Sequence, residues 1–168
     1  GASWRAGGMS GGTAFVLAGG GSLGAVQVGM LMALTEAGVR PDFVVGSSVG
    51  ALNAAYYTGA PDAGGGARLA EIWCGLRRSD IFPFSLFRLL GLLRRSDSLV
   101  DPAGLRHLLE SHLPFARIEE ARLPLHVMAT DQQGVGVRLS EGPAVEAILA
   151  SSAVPGIFPP VTIGGRQL

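Results

Sequence analysis

The sequence predicts an α/β fold in which a sheet carries helices on its faces, and three observations predict it. Thr13–Ala18 (TAFVLA) is a short apolar run that ends in glycines and is followed by apolar residues at helical spacing. Phe43–Val45 repeats that plan, running into Gly46-Ser47-Ser48-Val49-Gly50 and then into the helix-like Ala51–Tyr57. The 168 residues are 48% apolar and only 15% charged, enough for one domain with a sizeable core and far too apolar for disorder.

Taken in order, Gly1–Gly12 has no periodicity and reads as a tag remnant or a frayed end, leaving one domain over residues 13–168. It lacks the long apolar stretch of a secretory signal. Thr13–Thr35 contains no charge and is long enough to span a bilayer. Gly19, Gly20, Gly21, Ser22 and Gly24 inside it favour a buried strand, a glycine turn and a buried helix instead. That helix carries Leu23, Val26, Met30, Leu31 and Leu34 and closes at Gly38, just before Pro41. Asp62–Gly66 reads as a glycine-rich loop and Ala67–Leu76 as a helix. Pro102–Leu113 is a helix, Leu125–Thr130 a strand, Val135–Leu139 a short strand and Pro143–Ser151 a helix. A proline-rich loop, Val154–Pro160, leads to a last strand at Val161–Ile163.

Several function classes fall away on composition. All thirteen basic residues are arginine, balanced by thirteen acids, so net charge gives no case for a nucleic-acid partner. With no lysine there is no Ser–Lys hydrolysis, lysine Schiff base or lysine-bearing phosphate loop. One cysteine, Cys74, excludes an internal disulfide and fits a reducing compartment. The expected location is therefore the cytoplasm or the periphery of a membrane, without a transmembrane helix.

Gly46-x-Ser48-x-Gly50 between a strand and a helix is the nucleophile-elbow pattern. A sharp turn needs small neighbours if the serine Oγ is to project clear of the sheet, and the helix that follows favours negative charge at its N-terminus. The plainer alternative is a strand-to-helix turn with Ser47 or Ser48 as N-cap. Gly19-Gly20-Gly21-Ser22-Leu23-Gly24 also follows a strand and opens a helix. Its glycines match the dinucleotide-binding spacing at Gly19, Gly21 and Gly24, yet the acid that reading needs at the end of the second strand is replaced by Val45-Gly46. Asp42 lies at the wrong end. An oxyanion hole built from the backbone N–H groups of this loop is the better reading, with a merely tight turn as the alternative.

A serine nucleophile needs a proton acceptor. His107 and His112 fall in a predicted helix and His126 in a predicted strand, where no histidine of a Ser–Asp–His triad would stand. Their spacing matches no zinc site either. Asp131, after the Leu125–Thr130 strand, is an eligible carboxylate for the base, although aspartates at strand ends more often cap a turn.

The chain resembles the patatin-like phospholipases and acyl hydrolases. The glycine loop Gly19–Gly24, the elbow Gly46–Gly50 and the segment Ala150-Ser-Ser-Ala-Val-Pro-Gly-Ile-Phe-Pro-Pro-Val161 carry the resemblance, jointly and in order. It implies a three-layer α/β/α sandwich, with residues of about 60–120 as a variable insert. It also implies a Ser–Asp dyad in place of a histidine triad, with Ser48 as nucleophile and the backbone of Gly20, Gly21 and Ser22 as oxyanion donors. That chemistry requires no metal or organic cofactor, and its substrate would be a lipid or another ester. Two features depart from the family pattern. Leu23 stands where many members carry Arg or Lys, and the sequence reaches Arg166-Gln167-Leu168 about where the Asp-Gly-Gly or Asp-Gly-Ala motif that follows Pro-Pro-Val should appear. The base is therefore expected beyond Leu168, and the chain reads as an incomplete piece of the domain. The alternatives are a non-catalytic lipid- or partner-binding module and a dinucleotide-binding domain.

Asp80–Val100 stands apart. Phe84, Phe87, Leu90 and Leu93 recur near helical spacing with Arg88, Arg94 and Arg95 between and after them, a pattern suited to a lipid interface or to a cap helix.

Overall fold

The computed structural model describes residues 12–75, 103–153 and 160–168, so the segments 1–11 and Asp80–Val100, and most of the Val154–Pro160 loop, lie outside the described residues. Strand β1 (Ala14–Leu17) leads through a 3₁₀ turn (Gly21–Leu23) into helix α1 (Gly24–Glu36). Strand β2 (Phe43–Ser47) leads into helix α2 (Val49–Gly59), followed by helix α3 (Ala63–Gly75). Helix α4 (Ala103–His112), strand β3 (Leu125–Thr130), strand β4 (Gly136–Leu139) and helix α5 (Ala144–Ser152) follow. A hairpin of strand β5 (Thr162–Ile163) and strand β6 (Arg166–Gln167) completes the described chain.

The main sheet has the order β1-β2-β3-β4, with β1, β2 and β3 parallel and β4 antiparallel to β3. Helices with this mixed sheet form the expected α/β sandwich. Phe15 pairs with Val44, Leu17 with Gly46, Val44 with Leu125 and Gly46 with Val127, so the buried positions of neighbouring strands share one face. Helices α2 and α5 bring Ala51, Ala54, Ala55, Ala147 and Ile148 into the same core cluster. Small residues let α2 lie close on the sheet. Every residue of α2 from Gly50 to Gly59 is buried. The side chains that alternate with the buried ones point to the other face, where Val16 is 71% exposed.

Sequence expectation and structure agree on most elements to within two residues. The charge-free stretch 13–35 is divided into β1, the glycine turn and α1, and among the described residues no helix is long and apolar enough to cross a membrane. Helix α1 ends in a Schellman motif: Gly38, at φ 76°, donates to Thr35 O at 3.1 Å and Val39 donates to Leu34 O at 2.9 Å. One expectation is corrected. Asp62–Gly66 is not a loop, because α3 already begins at Ala63. Asp62 Oδ1 accepts the Gly65 N–H at 2.8 Å, and a Cβ on Gly65 would stand 1.9 Å from Ala60 O. An N-cap and a close approach that only glycine allows outweigh the poor helix propensity of three consecutive glycines.

Candidate active site

A tight turn at Ser48 joins β2 directly to α2. Ser48 sits between them at φ 54°, ψ −125°, and it has the only positive φ of a non-glycine residue among those described. Such a conformation is strained for a side chain bearing a Cβ and persists only where its surroundings enforce it. Both flanking glycines are enforced by contact. A Cβ on Gly46 would stand 2.5 Å from Ala51 Cα, and one on Gly50 would stand 2.1 Å from Leu17 O. Ser48 occupies the N-cap position, and its carbonyl accepts from Ala51 N at 2.8 Å, but its side chain makes no capping hydrogen bond. A turn whose serine served only to cap the helix would use that hydroxyl. The Ser48 N–H donates to Ser151 Oγ at 2.7 Å, and Ser151 Oγ donates to Met128 O at 2.6 Å.

The glycine loop lies against this turn. A Cβ on Gly19 would meet Ser48 Cβ at 3.4 Å, and one on Gly24 would overlap Val49 Cγ2 at 2.5 Å. The first residues of α1 and α2 are thus in contact, so two helix N-termini, each favouring negative charge, meet beside Ser48. Gly21 adopts φ 56° and Leu23 N donates to Gly20 O at 3.1 Å, which folds Gly19–Gly24 into a tight turn. Leu23 itself is 66% exposed. This geometry supplies backbone donors next to a strained serine.

Behind the loop runs a relay of side-chain amides. Asn53, fully buried on α2, donates through Nδ2 to Gly24 O at 2.9 Å and to Gln27 Oε1 at 3.0 Å. Its Oδ1 accepts from Trp73 Nε1 at 2.9 Å, and Gln27 Nε2 donates to Ala18 O at 2.7 Å.

The eligible acids among the described residues are engaged elsewhere. Asp131 Oδ1 accepts from Gln133 N at 3.0 Å and Val135 N at 2.9 Å, closing the turn between β3 and β4. Asp42 Oδ2 accepts from Thr13 N at 2.6 Å, far from the position a ribose would require. His107 and His112 are exposed on α4, and His126 Nδ1 pairs with Ser140 Oγ at 3.0 Å. Burial first, and the Arg138 cation second, hold the His126 imidazole below its usual value. Among the described residues no group of three His, Cys, Asp or Glu could hold a metal.

The sequence profile of the family described as Patatin-like phospholipase matches residues 15–168. The chain belongs to the patatin-like phospholipase family. Its patatin-like relatives include patatin-like phospholipase domain-containing protein 6 of Homo sapiens, 29% identical over 149 residues, 88% of this chain and 10% of that protein. Patatin-like phospholipase domain-containing protein 7 of Mus musculus is 28% identical over 149 residues, covering 88% of this chain and 11% of its own length. An uncharacterized NTE family protein of Mycobacterium tuberculosis (strain ATCC 25618 / H37Rv) is 32% identical over 168 residues, 92% of this chain and 41% of that protein. The chain therefore spans about a tenth of the mammalian relatives and less than half of the mycobacterial one.

In this patatin-like chain, sequence reasoning missed Asn53, Gln27, Trp73 and Ser151. Ser151 lay in plain view inside the segment that carried the resemblance, and Asn53 was the one amide in an otherwise apolar stretch of small and aromatic residues. A polar side chain at a helix position that periodicity assigns to the core is the signal that could have found it.

Proposed function

We propose that this chain carries the nucleophile and the oxyanion loop of a serine hydrolase acting on lipid esters. Ser48 attacks the ester carbonyl, the backbone N–H groups of the Gly19–Gly24 loop hold the oxyanion, and a carboxylate takes the serine proton. The tetrahedral intermediate breaks its ester C–O bond and expels the alcohol, which takes up the proton from the carboxylate, and water then hydrolyses the acyl-enzyme and frees Ser48. The single observation that carries this reading is the strained Ser48 turn packed against the glycine loop, its hydroxyl unused in capping. The relatives' names, which describe a phospholipase domain, agree with it. In the same reading residues 13–168 are one domain.

The test is hydrolysis of a short soluble ester by the native protein. Ser48→Ala abolishes activity and leaves the fold intact, whereas Ser47→Ala keeps most of it. Equal loss in both variants removes Ser48 from its role.

One observation favours a second reading, a non-catalytic lipid- or partner-binding module. Among the described residues Asp42, Asp62 and Asp131 each hold backbone N–H groups through one carboxylate oxygen, which is the work of a cap. A native protein that binds lipid vesicles without hydrolysing any ester supports this reading over the first.

A further inference from the structure

We propose that Asn53 is a positioning residue that sets the candidate oxyanion loop relative to Ser48, acting through Gln27 and Trp73. The inference rests on the reading of Ser48 and the glycine loop as an acyl-transfer site.

The argument begins with what α2 needs at position 53. The helix is buried on all sides, and its other residues there are Ala51, Leu52, Ala54, Ala55 and Tyr56. Packing alone asks for an apolar side chain, and a buried amide is tolerated only when its groups are paired. Both Nδ2 hydrogens of Asn53 are used, one on Gly24 O and one on Gln27 Oε1, and Oδ1 accepts from Trp73.

The polarity of the relay is fixed at its ends. The Trp73 indole can only donate, so Asn53 must turn its oxygen toward α3. The carbonyls of Gly24 and Ala18 can only accept, so Asn53 and Gln27 must turn their nitrogens toward them. No flipped arrangement satisfies all four bonds.

Those bonds reach both ends of one loop. Ala18 is the residue before Gly19, and Gly24 is the residue where the loop becomes α1. Asn53 itself lies five positions beyond Ser48 on the helix that Ser48 begins. The amides therefore clamp the donor loop at both ends to the helix that carries the candidate nucleophile. Misplacing donors by a fraction of an ångström weakens them where charge develops, while a neutral bound ester is little affected.

Two variants test it in the native protein, with a short soluble ester as substrate. Gln27→Glu keeps size but cannot donate to Ala18 O. Asn53→Asp keeps the acceptor for Trp73 but offers no donor to Gly24 O. The expected result is a kcat about 10- to 100-fold lower with KM changed by no more than about threefold. Affinity for a boronic acid, which forms a charged tetrahedral adduct with a serine, falls by a similar factor. Trp73 emission shifts in Asn53→Asp. Gln27→Glu, at a partly exposed side chain, melts within a few degrees of the parent and keeps the test valid if Asn53→Asp folds poorly. An unchanged kcat in Gln27→Glu, or a loss that only tracks the folded fraction, overturns the proposal. Ser48→Ala, run in parallel, separates the two readings: if it is fully active, the acyl-transfer site itself is wrong. If it is inactive while Gln27→Glu is unimpaired, only the positioning role is wrong.

Discussion

Ser48 and Ser151, 103 residues apart in sequence, are joined by a hydrogen bond of 2.7 Å from the Ser48 backbone N–H to the Ser151 hydroxyl. The same hydroxyl donates to Met128 O, so one side chain fastens the elbow to α5 and β3 together. Ser151→Ala removes both bonds, one from a partly buried donor and one to a partly buried acceptor. We expect a loss of about 1–3 kcal/mol in unfolding free energy, read from the denaturant midpoint. Ser151→Thr retains the hydroxyl and recovers part of that loss. An unchanged midpoint in Ser151→Ala removes the fastening role.

The elbow glycines are steric requirements, and the exposed one in α1 is not. Gly50→Ala forces a Cβ to 2.1 Å from a backbone oxygen of Leu17, which cannot move aside cheaply. It should cost more than the roughly 1–3 kcal/mol typical of overpacking. A Cβ on Gly29 meets nothing within 4 Å, and the site is helical and exposed. Gly29→Ala should gain about 0.5–1 kcal/mol from helix propensity. Thermal melts of the two variants should move in opposite directions, and melts that move together contradict the steric assignment.

Asp131 is a turn cap in this fold, holding Gln133 and Val135 through their N–H groups. Asp131→Ala is expected to lower stability by about 1 kcal/mol and to leave ester hydrolysis near the parent rate. A loss of about 10²-fold or more in kcat without unfolding would make Asp131 the general base.

His126 gives the domain a pH-dependent component of stability. Its imidazole is held below the usual value, so the unfolded chain takes up a proton at about pH 6.5 while the native protein does so only at lower pH. Stability therefore falls as pH drops through that window and is fully restored above it. Denaturant unfolding at a series of pH values should show this slope reduced in His126→Gln. An identical slope in the variant shows that His126 does not contribute.

How much was legible follows from sequence distance. The turns at Gly46–Gly50 and Gly19–Gly24 and the Schellman end at Gly38 are local patterns whose glycines have local reasons, so the turns themselves could be read directly. Asp131 could be read as a cap for the same reason. The start of α3 could not, because the cap by Asp62 and the close approach of Gly65 to Ala60 overrode three unfavourable propensities. The pairs Asn53–Gly24 and Ser48–Ser151 lie 29 and 103 residues apart, and nothing in a local window announces them. Only the oddity of a lone amide on a core-facing helix hinted at the first.

The most direct test of the central claim is the site of covalent modification by a fluorophosphonate. The reagent phosphonylates a serine only when its hydroxyl is activated and donors stand ready for the developing oxyanion, so it reads the elbow and the glycine loop at once. Peptide mapping of the labelled native protein should place one adduct on Ser48, with Ser47 and Ser151 unmodified. Labelling should disappear in Ser48→Ala. A native, folded protein that takes no label, or that takes it on another serine, contradicts the account.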